Sequence, residues 1–187
     1  MRNYLKSFDL LTDEEVETFV QMTRPKSLKK GDFFVKEGTT SNEIAFVVSG
    51  TLRSFYYSSN SDEITYCLTF ANSFMTAYSS LILGTPTNEN IEALTDVELL
   101  VITKDQLRSL ESSSVNALRF SKLMAEHEYI KLEQRIFLLQ KETAETRYQD
   151  LVRNHPAYIQ SVPLVHLASY LGISQRHLSR IRKAKSH

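Results

Sequence analysis

Residues 164–183 read LVHLASYLGISQRHLSRIRK, and they decide the C-terminal third of the chain. Leu164, Leu167, Ala168 and Leu171 recur at i, i+3, i+4 and i+7, which is one apolar face of a helix. Gly172 stops that helix, because the residue after a helix end usually needs a positive φ that glycine adopts without steric cost. Ile173 plugs the corner. Ser174 is placed to cap a second helix by accepting a backbone N–H. In the second helix Leu178 and Ile181 point one way, and Gln175, Arg176, His177, Arg180, Arg182 and Lys183 are left for other faces. A small residue at Ala168, a turn at Gly172 and apolar residues five and eight positions beyond Ile173 form the helix-turn-helix pattern. Ala168 must be small so that the second helix can cross close to it and project into a DNA major groove. An ordinary pair of helices packed into a core has the same pattern.

Charge separates the two readings. Residues 156–187 hold Arg176, Arg180, Arg182, Lys183 and Lys185 and no acidic residue. Residues 141–187 carry eight Lys+Arg against three Asp+Glu, a balance of +5. The whole chain is neutral, so residues 1–140 carry −5. A basic tip on an acidic body points to a nucleic-acid partner for the tip.

At 187 residues there is room for one medium domain and a small one. A composition of 42% hydrophobic and 24% charged residues is that of a water-soluble globular chain. No apolar run reaches the roughly 18 residues of a membrane span, and the N-terminus lacks a signal-peptide core. Cys67 is the single cysteine, which excludes an intrachain disulfide framework and a cysteine-held cluster. A cytoplasmic location without membrane contact is expected.

Further upstream, Thr12 and Glu15 make a capping box for a helix over 12–23, with Val16, Phe19, Val20 and Met22 on its buried side and Pro25 ending it. From Lys26 to Thr103 the texture is that of short strands: 33–35, 44–48, 52–57, 64–70, 90–94 and 98–102, with glycine- and asparagine-rich turns between them. Regular short strands predict a β-sandwich or barrel. Residues 73–83 are less strand-like and fit a short helical turn. Thr103 and Gln106 form a second capping box, over a helix at 104–110.

The longest periodic stretch runs from 113 to 140. Val115, Leu118, Lys122, Ala125, Tyr129, Leu132, Ile136 and Leu139 alternate at spacings of three and four, the seam of a coiled coil. Lys122 and Ala125 are its weak members. Leu123, Ile130 and Phe137 form a second stripe. Two stripes serve two neighbours, the helix's own β-domain and a second copy of the chain. At 1.5 Å per residue this helix is roughly 42 Å long. Another helix follows at 143–154, with Ala144, Tyr148, Leu151 and Val152 on one face. His155-Pro156 breaks it, and a loop leads to Val162-Pro163.

These residues together resemble the Crp/Fnr family of bacterial transcription regulators. The resemblance rests on Lys30-Gly31 followed by Glu37-Gly38, on the run from Phe46 through Gly50 to Arg53, and on Leu99-Leu100-Val101-Ile102 before a long helix. Ser80-Leu81, Thr85-Pro86 and Arg147-Tyr148 resemble a subgroup common in Bacteroidetes. The resemblance implies an α+β chain. Residues 1–111 would be a double-stranded β-helix (jelly-roll) effector domain of the cyclic-nucleotide-binding type, 112–141 a dimerisation helix, and 142–187 an all-α DNA-binding domain. The family's base-reading positions fall on Gln175, Arg176 and Arg180, next to Ser174. Side-chain chemistry agrees, since Arg reads guanine and Gln reads adenine. His177, Arg182, Lys183 and Lys185 are assigned to phosphates or solvent. The partners expected are double-stranded DNA, a second copy, RNA polymerase and a small-molecule effector.

Two departures accompany the resemblance. Four residues follow Lys183 in this sequence, and a β-hairpin wing after the second helix is not expected. The phosphate cassette is also altered. The effector pocket implied by the family maps to Phe74, Met75, Thr76, Ala77, Tyr78, Thr87 and Asn88. Thr76 stands where a ribose-binding Glu belongs, and Thr87 or Asn88 where a phosphate-binding Arg belongs. No Lys or Arg occurs between Arg53 and Lys104. Charge-assisted bonds contribute about 1.5–3 kcal/mol each. At about 1.4 kcal/mol per decade, losing both weakens cAMP binding by roughly two decades or more. No cofactor is therefore expected, cAMP included, and the pocket is left to another small molecule or to none.

Other classes are weakly supported. A ligand- or protein-binding module with a purely structural helix-turn-helix remains open. For an enzyme there is little: His127, His155, His166, His177 and His187 fall in no metal-binding or catalytic motif, and no phosphate loop or nucleophile elbow occurs. Cys67 reads as a buried strand residue rather than a nucleophile.

Overall fold

A computed structural model describes residues 1–184. Two short helices open the chain, α1 (Arg2–Lys6) and α2 (Asp13–Gln21). The capping box forms as its sequence dictates: the Glu15 N–H donates to Thr12 Oγ1 and the Thr12 N–H to the Glu15 carboxylate. The Ser114 hydroxyl and then the Thr12 N–H pull the Glu15 pKa down to about 2. The helix is shorter than the expected 12–23. Pro25 does not terminate it but sits inside β1 (Arg24–Leu28), at a sheet edge where a missing N–H costs no ladder bond.

Seven strands follow β1: β2 (Phe33–Val35), β3 (Glu43–Ser49), β4 (Leu52–Tyr57), β5 (Glu63–Thr69), β6 (Ser73–Met75), β7 (Asn90–Ala93) and β8 (Val97–Thr103). They form two antiparallel four-stranded sheets, ordered β1-β8-β3-β6 and β2-β7-β4-β5. Period-two alternation sorts the side chains. Ala45, Val47, Leu52, Ile91, Leu99 and Val101 fill the interior between the sheets. Ile44, Phe74 and Ile102 turn outward onto the helices. Gly50 makes the β3–β4 turn at φ +92°, and a Cβ there would lie 2.9 Å from Val97 Cα and closer still to the Asp96 carbonyl. Only glycine fits so near another backbone. Residues 73–83 divide into β6 and a helix, α3 (Tyr78–Leu83), so the expected helical turn occupies only the second half.

The second capping box, Thr103 with Gln106, opens α4 (Lys104–Ser113), three residues longer than expected. Ser114 then caps α5 (Val115–Lys141) by accepting the Ala117 N–H at 3.0 Å. The start of α5 meets the rest of its chain through Ala117, Phe120 and Met124, packed with Leu5, Val16 and Phe19. Leu123, Ile130 and Phe137 were the other candidates for that contact. Ile130 and Phe137 are exposed, because the β-domain meets only the first turns of the helix. The seam residues Val115, Leu118, Tyr129, Leu132, Ile136 and Leu139 are exposed as well.

Four more helices complete the described residues: α6 (Ala144–Asn154), α7 (Pro156–Ser161), α8 (Leu164–Tyr170) and α9 (Gln175–Ala184). α7 replaces the expected loop, with Pro156 at its first position, where a missing N–H costs nothing. Tyr148 and Leu151 of α6 are buried, but Val152 is exposed, contrary to expectation. The C-terminal unit shares its core with the β-roll: Leu68 and Leu94 pack among Tyr148, Leu151, Leu167 and Leu178.

Candidate nucleic-acid interface

The turn between α8 and α9 is built by the backbone. The Ile173 N–H donates to the Ala168 carbonyl and the Gly172 N–H to the Ser169 carbonyl, both at 3.0 Å. With Gly172 at φ +68°, this is a Schellman motif, which closes off the carbonyls of the last α8 turn. Ser174 then accepts the His177 N–H at 3.2 Å. Leu167, Ala168, Leu171, Leu178 and Ile181 are buried together, so the two helices lock at a fixed angle. From α6, Arg147 Nε donates to the Leu171 carbonyl at 3.0 Å and Nη1 to the Glu142 carbonyl at 2.6 Å, tying the turn to the end of α5.

Burial of Leu178 and Ile181 decides which side of α9 faces outward. At about 100° per residue, the opposite face carries Arg176, Ser179, Arg180 and Lys183. These line a surface groove with Ser174 and His177. Ser179 was not among the expected residues; its place between Arg176 and Arg180 on the helix face is the signal that could have found it. Gln175 and Arg182 are exposed but lie to the side, outside the groove lining. His177 Nε2 is 3.7 Å from Glu145 Oε1, and that contact helps hold the Glu145 pKa below the usual carboxylate range, after its backbone hydrogen bond. Arg182 and Lys183 occupy the last turn, where cations complement the helix dipole. Lys185 and His187 lie outside the described residues.

The expected effector residues do not converge. Phe74 faces away from the roll interior and packs against Phe46, 5.1 Å between ring centroids, and near Phe120. Met75 and Ala77 belong to the roll core, whereas Tyr78 and Asn88 are exposed. Alternation along β6 separates neighbours in sequence onto opposite sides. Thr76 Oγ1 donates to the Glu43 carbonyl at 2.8 Å. Thr87 is buried and pairs through its backbone with the 36–42 loop, at 2.8 Å to Gly38 and 2.9 Å to Thr39. The cassette region offers an acidic group in place of a cation: the Glu89 carboxyl accepts the Tyr66 hydroxyl. Burial pushes the Glu89 pKa up, and that hydrogen bond lowers it. Glu92 does not face this region, since it is held by Arg53 at 2.8 Å. Arg53, a charged residue buried in β4 beside Leu52 and Phe55, is the functional candidate that reading the motifs passed over.

Among the described residues no group of three His, Cys, Asp or Glu is placed to hold a metal ion. No helix there is long and apolar enough to cross a membrane.

Comparison with known proteins fits this architecture. Residues 25–114 match the cyclic nucleotide-binding domain family. FixK2 from Bradyrhizobium japonicum superposes with a TM-score of 0.76 at 18% identity, covering 87% of this chain and 83% of its own. A transcriptional regulator from Eubacterium rectale assigned to the crp/fnr family gives 0.73 at 17% identity, covering 97% and 87%. The c-di-GMP responsive global regulator CLP of Xanthomonas campestris gives 0.72 at 17% identity, covering 92% and 91%. No curated protein sequence matches the chain. The class is thus an α+β chain of Crp/Fnr-regulator fold, with a cyclic nucleotide-binding-type β-roll, a long helix and a C-terminal helix-turn-helix.

Proposed function

We propose that the protein is a Crp/Fnr-type transcription regulator that binds a palindromic DNA site as a homodimer in the cytoplasm, with RNA polymerase as a downstream partner. The observation that carries this reading is the division of α9. Leu178 and Ile181 are buried, while Arg176, Arg180 and Lys183 line an outward groove beside His177. A helix locked by its apolar face and cationic on the other is shaped for a major groove. The stripe along α5 supplies the dimer, and two copies joined there would carry two reading helices.

Salt dependence tests the DNA reading. Each phosphate neutralised releases counterions, so affinity for duplex DNA should fall steeply with salt on a log–log plot. A protein-binding module would show little DNA affinity at any salt. Arg180→Ala should cost about 1–3 kcal/mol and relax base preference at one half-site position. Unchanged affinity and preference in a binding titration would remove Arg180 from the reading set.

The effector domain, on this reading, does not take cAMP. The cassette region holds the Glu89–Tyr66 pair and Thr87 instead of a cation. An unpaired phosphate beside a carboxylate is strongly disfavoured. Titration calorimetry with cAMP should give no binding heat, and micromolar affinity would overturn the assignment. A different small-molecule effector is compatible with the same fold.

A further inference from the structure

The C-terminal unit is fastened to the β-roll of its own chain. β5 is an edge strand, and edge strands leave backbone donors and acceptors unpaired. α8 takes up part of that row. The Thr65 N–H donates to Ser169 Oγ at 2.8 Å, and the Ser169 hydroxyl donates to the Glu63 carbonyl at 2.9 Å. Farther along, Tyr158 of α7 stacks on Phe70 with ring centroids 4.3 Å apart.

Beside this clasp lies a buried guanidinium. The Arg53 side chain is only 4% exposed. Its Nε donates to Glu92 Oε2 at 2.8 Å and its Nη2 to Glu63 Oε2 at 2.5 Å. Its Nη1 lies 2.8 Å from His166 Nδ1, on α8. Arginine has donors and no acceptor, so Nδ1 must offer its lone pair. The ring is then neutral, with its proton on Nε2. A proton on Nδ1 would set N–H against N–H and cation against cation.

We propose that the Arg53–His166 contact is a pH-sensitive latch: neutral His166 holds the helix-turn-helix on the β5 edge, and protonation at Nδ1 releases it. The charged groups facing the ring are Arg53 from β4, Glu63 from β5 and Glu92 from β7. Burial first, then Arg53, lower the His166 pKa from its ordinary 6.5, while Glu92 and Glu63 oppose the shift. The docked state therefore binds fewer protons than the released one. Docking is fully present above the ordinary histidine value and is lost as pH falls through the lower docked value.

Amide hydrogen exchange on the full chain tests it, corrected for intrinsic exchange rates, from about pH 8 to about pH 5.5, the range in which histidine titrates. The wild-type protein should lose protection at the Thr65 amide several-fold toward the acid end, in step with His166 titration followed by imidazole NMR. In His166→Gln the side-chain carbonyl still accepts from Arg53 and does not titrate, so protection should stay high and flat. Parallel pH profiles in wild type and His166→Gln would overturn the latch. Imidazole NMR of the wild type gives an answer that needs no variant: the Nε2–H tautomer at the alkaline end is expected, and an Nδ1–H tautomer would rule the latch out.

Discussion

Leu132→Asp combined with Ile136→Asp should convert the protein to a monomer without unfolding it. Both residues are about half exposed, at 50% and 51%, and neither belongs to the buried core of its own chain. They lie on the same stripe as Leu118 and Tyr129, at spacings of three and four along α5. Burying a leucine or isoleucine side chain stabilises by about 1.5–3 kcal/mol. Half of each side chain is left to bury, so two residues from each of two copies contribute about 3–6 kcal/mol to the seam, a large share of the roughly 8 kcal/mol of a micromolar dimer. Carboxylates placed there would remove that term and add like-charge repulsion. Sedimentation velocity should show a monomer with unchanged far-ultraviolet circular dichroism. Affinity for a two-fold site should fall by about two decades or more, because each half-site would then be bound alone. A dimer that persists in the double variant would place the interface elsewhere.

Leu178→Ala should act differently, by dissolving the reading unit while leaving the dimer. Leu178 of α9 is fully buried, in one cluster with Leu167 of α8, Leu151 of α6 and Leu171. Truncating a leucine in such a core costs about 2–5 kcal/mol. A unit of this size has little stability to spare. The variant should unfold its C-terminal unit at a markedly lower temperature, seen as early loss of exchange protection over α8 and α9, while β3 and β8 keep theirs. DNA binding should disappear with it. Arg180→Ala provides the contrast, since Arg180 is exposed and its loss should leave the melting profile unchanged.

Much of the architecture could be read from local chemistry. Two capping boxes placed α2 and α4, because a cap is a contact between residues three apart. β2 and β4 matched their expected bounds because alternation and flanking turns mark a strand locally. The helix-turn-helix was legible for the same reason: Ala168, Gly172 and Ile173 make their defining contacts with each other. What escaped was set by distant partners. β1 contains Arg24-Pro25-Lys26, poor strand residues that are tolerated at an edge and reach Glu43 across the sheet. β6 has three residues and exists by pairing with β3. α7 was hidden because Pro156 signals a break as readily as a first turn. The stripe of Leu123, Ile130 and Phe137 has helical spacing, yet spacing alone does not say how far the β-domain extends along α5.

The site divides along the same line. Gln175, Arg176 and Arg180 were assigned by resemblance, and the apolar face of α9 alone left six residues for other faces; the groove takes in Arg176 and Arg180 and leaves Gln175 outside. The effector residues were mapped by resemblance, and the fold scatters them because Phe74 and Met75 alternate across β6. Arg53 and His166 are 113 residues apart, and no local pattern joins them.

The most direct measurement is selection of binding sites from a random double-stranded DNA pool, using the purified full chain without added ligand. The account predicts enrichment of a palindrome whose half-site centres lie about one helical turn, roughly 34 Å, apart. Its specificity should weaken at one half-site position in Arg180→Ala. Recovery of no preferred sequence, at low salt too, would contradict a two-fold DNA reader and leave α9 as part of a structural module.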